Sequence, residues 1–315
     1  MKRRVFAASV IILFFLMLCF PSAALSGASR GLLLWFRTVL PALLPFMIMA
    51  NLMIRTNAIL LLSDLLGTWI GKVFHVSGCG AFAVIAGFLC GYPMGAKVTA
   101  DLLKEHKISR READYLLSFC NNISPVFIVN YVAGKMIPSA ELKTPSVFIL
   151  FLAPLLCSGI FYIYKKRKGL FSESAKRREK DGSSYGQVAF SEDVVDICMM
   201  DGFVSIAKVG GYMMLFSVLM EMICSFSFSD SENLVGLFSF LEVTTGIAML
   251  ADLSWAPEIK WILILSLTSF GGLCAAAQTY GMIRESGLRI GAYITEKLVT
   301  CAVTSLLCLF YLWMH

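Results

Sequence analysis

The chain has 315 residues, of which 58% are hydrophobic and only 15% charged, with a formal net charge of +6. Soluble domains carry about a quarter charged residues, and several stretches here approach the ~20 apolar residues that cross a bilayer. A water-soluble globular protein is therefore excluded, and the positive balance, gathered in short loops, matches membrane orientation rather than a nucleic-acid surface. An all-α polytopic membrane protein is expected, with roughly eight to ten transmembrane or re-entrant helices.

Residues 1–30 form the first unit. Lys2, Arg3 and Arg4 precede an apolar run over 5–25. A signal peptide has the same layout, but the length of the run and the membrane-embedded remainder favour a retained helix. A first membrane half over 31–164 holds apolar elements at 31–54, 58–76, 81–103, 113–134 and 145–164. The element at 58–76 carries Asp64 and Lys72, and either crosses the bilayer or lies in its interface. Residues 165–193 are basic and poor in apolar side chains, and read as a flexible cytoplasmic linker. A second membrane half over 194–315 holds elements at 202–228, 234–250, 259–283 and 290–313. If each element crosses once, the basic loops at 104–111 and 165–180 fall on one side, as the positive-inside rule requires.

Two apolar segments are interrupted by glycine. AFAVIAGFLCGYPMGAKVTADLL (81–103) carries Gly87, Gly91, Pro93 and Gly95, and WILILSLTSFGGLCAAAQTYGMI (261–283) carries Gly271 and Gly272. A lipid-exposed break costs several kcal/mol for each unpaired backbone group, so such breaks survive inside protein or along a cavity. A pair of them in matching halves points to a solute site. A faint internal repeat pairs Gly91 with Gly272, Ala96 with Ala277 and Lys97 with Gln278. Corresponding elements lie an odd number of crossings apart, which predicts two halves of opposite orientation, an inverted repeat.

Polar side chains inside apolar runs are the candidate site. Asn121, Asn122 and Ser124 precede Pro125; they either clamp helices together or contact a solute. Glu242 and Thr245 stand in FLEVTTG. A carboxylate at mid-bilayer costs about 2.5–3.5 kcal/mol, so Glu242 must be protonated, paired or facing water, with Lys97, Lys208 or a broken helix end as partner. Glu221 is a second candidate. Lys97 and Gln278 follow the two breaks; Lys97 either joins a midplane site or snorkels to the interface. The ten cysteines form no CxxC pair, the three histidines are scattered, and nucleotide-binding or hydrolase signatures are missing. Neither metal, cofactor nor enzymatic activity is expected.

TVLPALLPF (38–46), GFLCGYPMGAK (87–97), LLSFCNNISPVFI (116–128), GGYMMLFSVL (210–219), LEVTTG (241–246) and SFGGLCAAAQ (269–278) occur in that order. Together they resemble the YlbJ-type sporulation integral membrane proteins, with a nucleoside-recognition "Gate" domain, over about residues 31–306. The resemblance implies a multi-pass protein of the cell membrane of an endospore-forming bacterium, acting in spore cortex formation. It implies a transporter-like fold that moves or binds a small polar solute or nucleoside, with the coupling ion unassigned. The alternative is a non-transporting scaffold for assembly of the spore envelope.

Overall fold

The computed structural model describes residues 2–168, 193–225 and 232–315. Every regular element among them is helical. Helix α1 (Lys2–Cys19) stops at Phe20, whose φ of −125° and ψ of 61° leave the helical region for one residue. Pro21 then opens α2 (Pro21–Arg55) at a position where its missing N–H costs nothing. A wide π turn over Trp35–Val39 comes just before Pro41, which cannot donate to the helix ladder. The expected boundary near residue 30 is thus replaced by a break at Phe20. The helix continues through this stretch because Ala23, Ala24, Gly27 and Gly31 form a buried packing face. A Cβ on Gly27 would lie 2.7 Å from the Ser217 carbonyl oxygen, and one on Gly31 would lie 2.9 Å from the Met214 Cα. Small residues allow this approach between membrane helices.

The partner is α9 (Asp193–Ser225). Contacts climb along α2 from Gly27 to Asn51 while they descend along α9 from Val218 to Cys198, so the two helices are antiparallel. The Trp35 indole donates to the Ile206 carbonyl at 2.9 Å, and Asn51 donates to Asp201 at 2.8 Å.

After α2, helix α3 (58–74) passes through a π turn at Gly67–Gly71 and bends by 79° into α4 (Gly78–Cys90). Residues 81–103, read as one broken crossing, instead form a hairpin. Its second arm is α5 (Met94–Lys104), and a Cβ on Gly87 would lie 3.1 Å from the Gly95 Cα, so the arms touch. Both arms are rooted at one face. The Ser77 amide at the start of α4 donates to Glu112 at 2.7 Å, near the start of α6 (Arg110–Phe119), and α5 ends close to the same point in the chain. The hairpin tip is 91–93. Helix α6 is followed by a non-helical stretch at 120–124, and then by α7 (125–136), opened by Pro125 and capped by Ser124. Helix α8 (Ala140–Arg167) returns to the first face.

The second half repeats this order upside down. Helix α9 leaves the basic face, and α10 (Glu232–Phe238) and α11 (Val243–Asp252) form a short hairpin with its tip at 239–242. A Cβ on Gly246 would lie 2.0 Å from the Ser239 carbonyl oxygen. Helices α12 (Pro257–Phe270) and α13 (Gly272–Ile283) form one long element interrupted at Gly271. Gly271 and Gly272 have φ of +88° and +78°, a region costly for any residue with a Cβ. The end of α13 reaches the basic face, where Lys104 and Glu285 pair at 3.0 Å and Arg110 donates to the Ser286 carbonyl. Helix α14 (Ile290–Met314) runs antiparallel to α8, joined by a Lys165–Glu296 ion pair at 3.1 Å.

These directions give an inverted arrangement, with a register unlike the expected one. The α4–α5 tip corresponds to the α10–α11 tip, and the 120–124 break corresponds to Gly271. Pairing Gly91 with Gly272 and Lys97 with Gln278 matched a hairpin tip to a span break, because both are rich in glycine. Among the described residues, five elements are long and apolar enough to cross a membrane, or six if the bent pair Gly67–Phe74 and Gly78–Cys90 counts as one. The expected eight to ten included hairpin arms. The 13 residues of α4 reach only about 20 Å at 1.5 Å per residue, short of the ~30 Å hydrocarbon core.

Of the expected linker at 165–193, residues 169–192 lie outside the described residues. Lys165 belongs to α8 and is buried. One apolar cluster fills the basic half around Met47, Leu102, Leu116 and Ile283, and another fills the opposite half around Val132, Leu150, Ile247 and Leu265. Gly87→Ala and Gly95→Ala should each lower stability by about 1–3 kcal/mol through overpacking. Gly159→Ala, whose methyl meets nothing within 4 Å, should be neutral or stabilising by up to ~1 kcal/mol. Thermal unfolding in detergent separates the two outcomes.

Candidate functional site

The hairpin tips and the span breaks converge on one region. At the first tip, Cβ atoms on Gly87 and Gly95 would lie 1.8 and 2.4 Å from the Cys120 carbonyl oxygen, and one on Gly91 would lie 2.8 Å from the Ser124 nitrogen. Backbone therefore rests directly on backbone, which only glycine permits. At the second tip, the amides of Leu273 and Cys274, freed at the start of α13, donate to the carbonyls of Phe240 and Leu241, both at 2.9 Å. Each tip is thus bound to the break of its own half. Tyr92 crosses between halves: its ring lies 3.4 Å from the Cβ position of Gly271, and its hydroxyl is within electrostatic reach of Glu242.

Asn121 is the most connected polar residue of this junction. Its Oδ1 accepts from the Ala96 amide at 3.3 Å, and its Nδ2 donates to Thr279 Oγ1 at 2.9 Å and to the Tyr293 hydroxyl at 3.0 Å. It therefore ties α5, α13 and α14 to the first break. Asn122 donates to the Phe119 carbonyl at 2.6 Å and accepts from Lys297 at 3.3 Å. Ser124 caps α7, with its Oγ accepting from the Phe127 amide at 3.3 Å.

Glu242 finds its partner at a broken helix end. Its two carboxylate oxygens accept from the amides of Thr244 and Thr245 at 2.9 and 2.8 Å. It is the cap of α11, where an anion is favoured by unpaired amides and the helix dipole. Thr245 enters the arrangement through its backbone, and Tyr131 donates to the Thr244 carbonyl at 2.7 Å. Gln278 is buried and donates to the Cys274 sulfur at 3.3 Å, one turn back on its own helix.

Lys97 lies apart from this junction. Its ammonium is held by Asp101 and Asp201 at 2.9 Å each, in a cluster with Asn51 toward the basic face. It neither pairs with Glu242 nor reaches a hairpin tip. Glu221 sits at the far end of α9, bound to Arg30 at 3.0 Å. In the loop before α14, the Lys104 ammonium holds the Glu285 carboxyl below the usual carboxylate range.

Sequence reasoning missed Tyr92, Thr279, Tyr293 and Lys297. Lys297 carried a usable signal, since an ionisable residue inside a membrane helix marks function by default.

No family model matches the chain, and no solved structure matches it. The chain is similar to the sporulation integral membrane protein YlbJ of Bacillus subtilis (strain 168). The two are 25% identical over 317 aligned positions, covering 89% of this chain and 75% of that protein. The similarity bears out the YlbJ-type part of the resemblance carried by the six motifs.

Asn121→Ala removes the acceptor of a buried amide and should cost about 1–3 kcal/mol, read by thermal unfolding. Lys97→Met strands two facing carboxylates. Breaking a buried pair costs ~3–5 kcal/mol, and because the Asp201 side chain is 39% exposed the loss should fall at or below the low end of that range. A neutral result for Lys97→Met in the same assay would contradict the ionic cluster.

Proposed function

We propose that this chain is a sporulation protein of the cell membrane that carries a small polar solute across it, unaltered, during formation of the spore envelope. The sporulation role follows the name of its Bacillus relative. The carrier reading rests on one observation, the meeting of two oppositely rooted hairpin tips with two broken spans, bridged by Tyr92 and Gly271. Glycine-broken elements packed at mid-depth supply free amides and carbonyls where a solute can replace internal partners. The residues that would meet it are Tyr92, Asn122, Ser124, Glu242, Thr245 and Gln278. A nucleoside is one solute of suitable size and hydrogen-bonding capacity. By the positive-inside rule, the face bearing Arg55, Lys104, Arg110 and Lys165 is cytoplasmic, so the first hairpin gates the inside and the second gates the outside.

A scaffold role is the second reading. It is favoured by the fact that, among the described residues, no buried side-chain nitrogen or oxygen lacks a partner.

Uptake by proteoliposomes decides between the readings, using radiolabelled nucleosides and soluble cell-wall precursors. The carrier should show uptake above empty liposomes for at least one class. Glu242→Gln places an amide against backbone N–H donors, and should reduce uptake to near background while the protein still inserts and elutes as a single species. Folded wild-type protein that neither takes up nor binds any member of the panel would leave the scaffold reading.

A further inference from the structure

Lys297 has no role in the carrier reading above, yet its amine is set against the first break. It is 3% exposed on α14, and its Nζ donates to the Asn121 carbonyl at 3.2 Å and to Asn122 Oδ1 at 3.3 Å. The other two buried lysines are matched to carboxylates, Lys97 to Asp101 and Asp201 and Lys165 to Glu296. Lys297 has no salt bridge among the described residues. The titratable groups facing it are thiols: Cys157 on α8, Cys120 at the break and Cys301 one turn along α14. The hydroxyls of Thr279 on α13 and Tyr293 on α14 are bound to Asn121, and Ser266 of α12 is bound to Ser305. None of these brings a negative charge, and the carboxylate nearest in sequence, Glu296, is held by Lys165.

An ammonium carries three donors, and a neutral amine carries two. Two acceptors are present, both on residues of the break itself. The charged form would leave an N–H and a full charge out of water without a counter-charge, which is costly. We propose that Lys297 is the binding site of a coupling proton, with the neutral amine holding the 120–124 break closed and proton uptake releasing it. The proposal rests on the carrier reading and names the ion that drives it. Only an N–H bond forms and breaks. Nζ takes the proton from water on one side of the membrane and returns it to water when the break closes again. The closed arrangement binds fewer protons than the open one, so opening is favoured as pH falls, by at most about tenfold per pH unit for one proton.

Hydrogen exchange of the backbone over residues 119–127 tests this, on solute-free protein in nanodiscs, across roughly pH 6 to 10 around the lysine range. After correction for intrinsic exchange, wild-type protection should fall with pH, by up to about tenfold per unit within the titration. Lys297→Gln keeps two N–H donors without a titrating proton, and should stay protected throughout. Lys297→Arg is permanently charged and should stay open throughout. Wild-type protection that does not change with pH, or that changes identically in Lys297→Gln, overturns the proposal; the comparison stands even if Lys297→Arg does not fold. Because no solute is present, a flat exchange profile removes the proton site and leaves the carrier reading intact. Missing uptake alongside a pH-dependent profile removes the carrier reading and the coupling role with it, and leaves Lys297 as a proton site that opens the break.

Discussion

Backbone polar groups released in the middle of a bilayer have no water to turn to, and the fold is organised around satisfying them. Four interruptions meet in one region: the tips at 91–93 and 239–242 and the breaks at 120–124 and Gly271. Each tip satisfies or covers a break. On one side the second tip gives carbonyls to the Leu273 and Cys274 amides. On the other, glycines let the first tip lie on the Cys120 carbonyl, and Asn121 reaches across to the Ala96 amide. Remove this mutual arrangement and each interruption would carry several kcal/mol of unpaired groups.

The charged side chains follow the same economy. Lys97, Asp101 and Asp201 close an ionic cluster where three elements meet near the basic face. Lys165 draws α14 to α8 through Glu296 and also donates to the Asp114 carbonyl at 2.5 Å. Glu242 needs no cation because a helix start supplies two amides. Charge is therefore placed at junctions between elements, and the lipid-facing surface is left to side chains such as Phe36, Phe148, Leu309 and Trp313.

Much of this was legible in the residues. Composition alone dictated a helical membrane protein, and the glycines marked two of the places where helices stop, whereas the break at 120–124 fell inside an element read as continuous over 113–134. The topology was less accessible. A hairpin arm and half of a broken span have the same length and polarity, and only the partner of each break distinguishes them. Asn121, Asn122, Ser124, Glu242 and Gln278 stood out in the sequence because polar groups in apolar runs are conspicuous. Lys97 was conspicuous for the same reason, but of the two carboxylates that hold it only Asp101 is close in sequence, one turn on, and Asp201 comes from a distant helix. Tyr92 and Tyr293 gave no signal, since a tyrosine in a membrane helix needs only one partner for its hydroxyl.

The two backbone hydrogen bonds that join the 239–242 tip to the start of α13 have a mechanical consequence. Peeling that tip away would strip two amides and two carbonyls together. The first hairpin is held to its break differently, by glycine contact, by the Ala96 amide on Asn121 Oδ1, and by weak contacts of the Cys120 thiol with the Gly95 carbonyl and Thr99. The second hairpin is therefore yoked to α13 through paired main-chain groups and the first to its seat through side chains, so an architecture built with twofold likeness is fastened differently on its two sides.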